Sequence, residues 1–188
     1  MPSGSPSLRI GIVGAGIGGL TAALALSDAG HAITVIERRT GFSEVGAGIQ
    51  ISPNASRVLA ALGLSAALRR AASEPPGVEV RALDSGRRID AGHPVLPYLA
   101  QGAALAIEDA AVLTRALADR ADVPAALAAY SDARAARVRR VQKAARSNGR
   151  TYHAGGVVAL VRNAVMGRLG PDGMRDRYAW LYGWTPPA

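Results

Sequence analysis

With 188 residues, 49% of them hydrophobic, the chain is long enough for a single domain with a real core. Its 0 cysteines exclude a disulfide framework, a thiolate nucleophile and a Cys-ligated metal. No run approaches the roughly 18 uninterrupted apolar residues of a membrane span, so a cytoplasmic protein without a membrane partner is expected. The net charge of +8 raises the question of a polyanion, but Lys143 is the only lysine and no aromatic residues alternate with the arginines as a base-stacking platform. A nucleic-acid partner is therefore not expected.

Residues 1–7 read as a flexible Pro/Ser/Gly tail without the features of a signal peptide. Leu8, Ile10, Ile12 and Val13 then form an apolar run that leads into Gly14-Ala15-Gly16-Ile17-Gly18-Gly19. An Ala/Leu-rich segment follows, closed by Gly30, and a second apolar run from Ile33 to Ile36 ends at Glu37. The pattern is strand, tight glycine turn, helix, strand and acid. Gly14 permits the sharp turn, Gly16 removes the Cβ that would keep backbone from a pyrophosphate, and Gly19 lets helix and strand pack closely. The pyrophosphate would sit at the helix N-terminus, where unpaired N–H groups and the dipole favour an anion. Glu37, eighteen positions after Gly19, is placed to take ribose hydroxyls. The alternative is an Ala/Gly-rich βαβ unit that binds nothing. Arg38 either covers the adenine or a phosphate of the dinucleotide or is, with Arg39, a solvated strand end.

A second glycine-rich stretch, Gly46-Ala47-Gly48-Ile49-Gln50-Ile51-Ser52, precedes Pro53-Asn54-Ala55. Ser52 is placed to cap a helix with Pro53 in its first turn, and Gly63 ends it. Glycines ahead of a strand imply close approach, here of a flat cofactor ring to Gly48, or simply a loop. Val78 to Ile89 predicts a lopsided hairpin turning at Ser85-Gly86, with a very short second arm. Asp90 to Ala103 predicts an irregular loop opening a helix, on which Leu105, Val112, Leu113, Ala116 and Leu117 share a face. His93 in this loop reads as an ordinary loop histidine before a proline rather than a catalytic group. Pro124 begins a long helix to about Arg150, whose Arg134, Arg137, Arg140 and Arg146 read as a solvated face. A further helix over Val157 to Leu169 precedes Tyr178-Ala179-Trp180-Leu181-Tyr182-Gly183-Trp184, an aromatic cluster expected to anchor on the core.

These residues resemble the single-component FAD-dependent aromatic-ring hydroxylases, the salicylate hydroxylase and hydroxybenzoate hydroxylase group. Gly14 to Gly19 with Glu37-Arg38 is shared by many flavoproteins. Gly46 to Ala55 is more particular to the group, as is Asp90 through Asp109, which is similar to its Gly-Asp-Ala-Ala-His-Pro motif running into Leu-Pro-Tyr-Leu-Ala-Gln-Gly-Ala. The ending Tyr178 to Tyr182 fits as well. The resemblance implies an α/β fold: a Rossmann-like FAD-binding domain built on the GxGxxG βαβ unit, with C-terminal helices. It divides the chain into a FAD-binding core over 8–123, with halves 8–89 and 90–123, and a C-terminal helical segment over 124–188.

Carried over residue by residue, the resemblance implies that Gly14, Gly16 and Gly19 hold the FAD pyrophosphate, Glu37 and Arg38 the adenosine half, and Asp90 the ribityl and pyrophosphate region. Gln101, Gly102 and Ala103 would lie against the flavin pyrimidine edge. NADH or NADPH would be the electron donor, O2 the co-substrate and an aromatic acid the small-molecule partner. No metal site is implied and no catalytic residue is named, because the family's substrate contacts lie largely in a long central segment that this sequence lacks between Arg88 and Asp90. Ile89 stands where the motif's first glycine belongs. The substrate-domain sheet is thus largely absent, and its loss predicts exposed sheet edges and apolar helix faces, with either poor solubility or association as a homodimer. Two alternatives stand beside a shortened monooxygenase: a non-catalytic flavin-binding remnant and an arginine-rich interaction protein.

Overall fold

The computed structural model describes residues 6–42, 48–73, 78–81, 88–92, 101–120 and 122–187. Strand β1 (Arg9–Val13), helix α1 (Ile17–Asp28) and strand β2 (Ala32–Ile36) form the predicted βαβ unit. The strands pair in parallel, with Ile10 opposite Ile33 and Ile12 opposite Val35. The N-terminal region is thus Rossmann-like, and the helices that follow make the protein predominantly helical.

Strand alternation puts Leu8, Ile10, Ile12 and Ile33 on one face, where they pack on Leu26 of α1. The same cluster takes Ala116 and Leu117 of α4 (Gly102–Asp119) and Ala126 of α5 (Val123–His153). The strands are otherwise open: Val13 is 87% exposed and Ile36 57%. A parallel pair is normally covered on both faces, because its helical crossovers lie there. Here, among the described residues, only one face is covered.

Helix α2 (Pro53–Ala61) starts as predicted, with Ser52 at the N-cap position, although the Ser52 side chain makes no capping bond. Gly63 follows its end with φ +76°. The short helix α3 (Ser65–Ala71) comes next. Residues 48–52 adopt no strand.

Two expectations are corrected in the hairpin. Strands β3 (Val78–Arg81) and β4 (Arg88–Gly92) pair antiparallel, with Val80 opposite Asp90 and a bulge between Val80 and Arg81. The second arm is therefore not truncated at Ile89. Pairing carries it through Asp90 to Gly92, so Asp90 lies in a strand rather than in a loop. Ser85-Gly86 and His93 fall outside the described residues.

Helix α4 is corrected as well. Leu113, Ala116 and Leu117 share a face under the sheet, whereas Leu105 packs on the C-terminal cluster of Val141, Tyr178 and Leu181. Ala104 and Ile107 fill a third contact with Ala55, Val58 and Leu59 of α2. The helix is wrapped by neighbours on several sides, so a single amphipathic stripe does not describe it. Helix α6 (Gly156–Arg177) runs well past Leu169, and α7 (Ala179–Tyr182) follows. Tyr178 and Leu181 are buried, as expected of the aromatic ending.

Candidate functional site

The turn from β1 to α1 has the geometry that its glycines predict. Gly14 adopts φ +102°, and its N–H donates to the Ile36 carbonyl at 2.8 Å, tying the turn to the end of β2. A Cβ on Gly19 would lie 2.0 Å from the Gly14 carbonyl oxygen, so no side chain fits there. Gly18 is also tight: its Cβ would stand 3.1 Å from that of Ala106, where α4 crosses α1. Gly16 is the contrast. A Cβ there meets nothing within 4 Å, and it is the N-cap of α1 without a side-chain capping bond. Packing therefore explains Gly19 but does not explain Gly16.

Glu37 closes the turn. Its Oε2 accepts the Ala15 N–H at 2.8 Å and its Oε1 accepts the Arg39 N–H at 2.9 Å. The Ala15 bond and then the Arg39 bond hold this carboxyl below the ordinary glutamate value. Each oxygen has two lone pairs, and the residue is exposed, so the carboxylate retains acceptor capacity for hydroxyl donors. Arg38 is exposed beside it.

Next to this turn is a cleft of about 220 Å³. Ile17 and Leu20 of α1, Ile49, Gln50 and Ile51 of the loop before α2, and Ala103 at the start of α4 all line it. Gly48, with φ +101°, precedes that loop and has open space where a Cβ would be. Gln101 is the N-cap of α4, with Gly102 as the first helical residue. The structure thus brings Gly14, Gly16, Gly19 and Glu37 together at one end of α1, and gathers Ala103 and the loop after Gly48 around the adjoining cleft. Asp90 belongs to β4, which packs chiefly on β3 and α6.

Behind the cleft is a polar chain that the sequence did not reveal. The Gln101 Nε2 donates to Ser52 Oγ at 3.3 Å, and its Oε1 accepts from Asn54 Nδ2 at 3.0 Å. Asn54 Nδ2 also donates to Glu108 Oε1 at 2.6 Å. Glu108 has a relative exposure of 0% and is held by Arg137 at 2.6 Å and Arg134 at 2.9 Å. Burial pushes the Glu108 carboxyl up, but the bonds from Arg137, Asn54 and Arg134 outweigh it and leave the group below its ordinary value. Arg137 in turn donates to the Trp180 and Leu181 carbonyls, both at 3.0 Å, and lies over the Trp180 and Trp184 rings.

This overturns the solvated-face reading of α5. Arg134 is 5% exposed and ion-paired with Glu108 and Asp109, and Arg140 stacks 4.0 Å from the Trp180 ring centroid. Of the four arginines, Arg140 and Arg146 are exposed as expected, whereas Arg134 is buried and Arg137 half-buried. Among the described residues, no group of three or more His, Cys, Asp or Glu is placed to hold a metal ion, and no helix is long and apolar enough to cross a membrane.

Comparison with known proteins agrees with this geometry. A family profile described as an NAD(P)-binding Rossmann-like domain matches residues 12–50, which run from β1 through the glycine turn to the loop lining the cleft. The 3-hydroxybenzoate 6-hydroxylase of Polaromonas naphthalenivorans (strain CJ2) is 44% identical over 97 residues, 51% of this chain and 24% of that protein. The 3-amino-4-hydroxybenzoate 2-monooxygenase PtmB3 of Streptomyces platensis is 45% identical over 89 residues, 46% of this chain and 22% of its own length. The FAD-dependent monooxygenase OpS4 of Beauveria bassiana (strain ARSEF 2860) is 39% identical over 80 residues, 43% of this chain and 19% of its own. The matched stretches span about a quarter or less of these relatives.

Proposed function

We propose, from the premise that this chain is related over about half its length to FAD-dependent aromatic hydroxylases, that it encodes part of a FAD-dependent monooxygenase acting on an aromatic acid with NADH or NADPH and O2. The observation that carries this reading is the pairing of Gly16 and Gly19. Gly19 has no room for a Cβ, whereas Gly16 has open space at an uncapped helix N-terminus. The open space at Gly16 supports the approach of a pyrophosphate to the backbone there, which packing alone does not require.

The residues fit FAD in chemical type. Gly14, Gly16 and Gly19 would receive the pyrophosphate through backbone N–H groups, and Glu37 would accept ribose hydroxyls, with Arg38 beside the adenosine half. Gly48, Gln101, Gly102 and Ala103 would bound the ring portion, and the α4 N-terminus would favour negative charge there. Asp90 is retained in this set on the family motif alone. The bound flavin would supply electron transfer from the nicotinamide donor and oxygen activation. The chain's own part is to bind and orient it, and the apolar walls Ile17, Leu20, Ile49 and Ile51 exclude water from one side.

The division into a FAD-binding core at 8–123 and a helical segment at 124–188 belongs to the same proposal, as do a cytoplasmic location and a homodimer. The exposed strand ends Val13 and Ile36 support self-association, and sedimentation velocity on the purified chain decides it. A flavin-binding remnant without turnover is the second reading, favoured by the open face of β1 and β2. NADH consumption stimulated by 3-hydroxybenzoate in the FAD-loaded chain supports the enzyme. Flavin retention without any such consumption supports the remnant.

A further inference from the structure

The polar chain behind the cleft does more than satisfy buried groups. Asn54 has a relative exposure of 0%, and its Nδ2 serves two acceptors on α4, Gln101 Oε1 at the helix start and Glu108 Oε1 two turns on. Its Oδ1 has no hydrogen-bond partner among the described residues. A buried amide oxygen without a partner carries a desolvation cost that a leucine at the same place would avoid. What the amide supplies in return is direction. Reversing it would face its oxygen to two acceptors, so only one orientation is allowed. That orientation ties Gln101, the N-cap of α4, to the ion-paired carboxylate of Glu108, and through Gln101 to Ser52 at the start of α2.

One end of this chain, at Ser52 and Gln101, meets the cleft walls. Ala103 and Ala104 follow Gln101, Ile51 precedes Ser52, and all three line the cleft. The far end is fixed by α5 and the C-terminal aromatic segment through Arg134 and Arg137. We propose that Asn54 is a positioning residue. It sets the N-terminus of α4 against the loop of residues 48–52, and thereby the shape of the cofactor cleft, using the Glu108 carboxylate as its fixed anchor. The flavin arm of the argument rests on the reading of the cleft given above; the positioning itself does not.

The test compares Asn54→Ala with Val58→Ala, a core substitution on the same helix that leaves the amide chain intact. Two readouts are taken. In the ligand-free protein, amide hydrogen exchange is measured at Leu105, whose N–H donates to the Gln101 carbonyl at 2.8 Å. FAD affinity is measured by fluorescence quenching. We expect exchange at Leu105 to rise at least tenfold in Asn54→Ala relative to Val58→Ala at matched global stability, and FAD to bind at least tenfold more weakly. In the double variant Asn54→Ala/Gln101→Met, exchange at Leu105 should rise no further than in the faster-exchanging single variant, because one chain is cut twice. If Asn54→Ala does not fold, Gln101→Met, which conserves volume, carries the exchange comparison alone. Exchange and affinity indistinguishable from Val58→Ala, or additive effects on exchange in the double variant, overturn the proposal. Should the wild-type chain bind no FAD, the flavin reading fails, while the exchange result still decides the role of Asn54.

Discussion

Glu37 Oε2 accepts the backbone N–H of Ala15 at 2.8 Å, so the residue at the end of the second strand closes the glycine turn that leaves the first. The carboxylate has structural work without a ligand, and its exposed lone pairs leave it able to accept ribose hydroxyls as well. Glu37→Ala should therefore weaken FAD far more than riboflavin, which lacks the adenosine half, while the thermal midpoint falls by only a few degrees. Equal weakening of the two ligands in parallel titrations would assign Glu37 to the turn alone.

The two glycines of the turn separate packing from binding. Gly19→Ala forces a Cβ against the Gly14 carbonyl oxygen and should destabilise the fold by about 1–3 kcal/mol or more, as overpacked sites do. Gly16→Ala meets no neighbour and only replaces a favoured N-cap residue by a poorer one, costing about 0.5–1 kcal/mol. Chemical denaturation of both variants checks the contrast, and comparable losses would mean that Gly16 is also packed.

Glu108 anchors two arginines in the interior. Removing it in Glu108→Ala leaves Arg134 and Arg137 buried without their shared counter-charge, and should cost about 3–5 kcal/mol. Urea unfolding monitored by tryptophan fluorescence reports it directly, since Trp180 and Trp184 lie against Arg137. A loss under 1 kcal/mol would mean that water reaches these groups when the carboxylate is gone.

Both glutamates have carboxyls held below their ordinary value, Glu37 by the Ala15 and Arg39 backbone bonds and Glu108 by bonds that outweigh its desolvation. A group depressed in the folded state stabilises it above the unfolded pKa, and that contribution is lost as pH falls through the folded value. Stability should hold steady from neutral pH to about 5, then decline through the acid range below about 4. The decline should be shallower in Glu108→Gln, and an unchanged slope in that variant would remove Glu108 from the account.

The first thirty residues of the fold were legible because strand, turn and helix there obey local rules, and three glycines carry most of the information. The buried ion cluster was not, although the signal was present. Ala126, Tyr130, Arg134, Arg137 and Val141 follow one another at helical spacing, so two arginines occupy the apolar stripe of α5 rather than its wet side. Arginines in such positions require a buried anion, and Glu108 answers them from α4. Reading Arg134, Arg137, Arg140 and Arg146 by charge instead of by period hid this. Leu105 departs from the face shared by Leu113 and Leu117 for a related reason: a helix packed on several sides has no single stripe. Asp90 reads as loop from the glycines and prolines that follow it, whereas its pairing with Val80, next to a register shift between Val80 and Arg81, is non-local.

The most direct test of the central claim is FAD stoichiometry by visible absorption, measured on the purified chain and on Gly16→Val after reconstitution and removal of excess flavin. The account predicts near one flavin per chain in the first and none in the second, with the far-ultraviolet circular dichroism of the two alike. A wild-type chain that stays colourless, or a Gly16→Val chain that retains flavin as well as wild type, would contradict it.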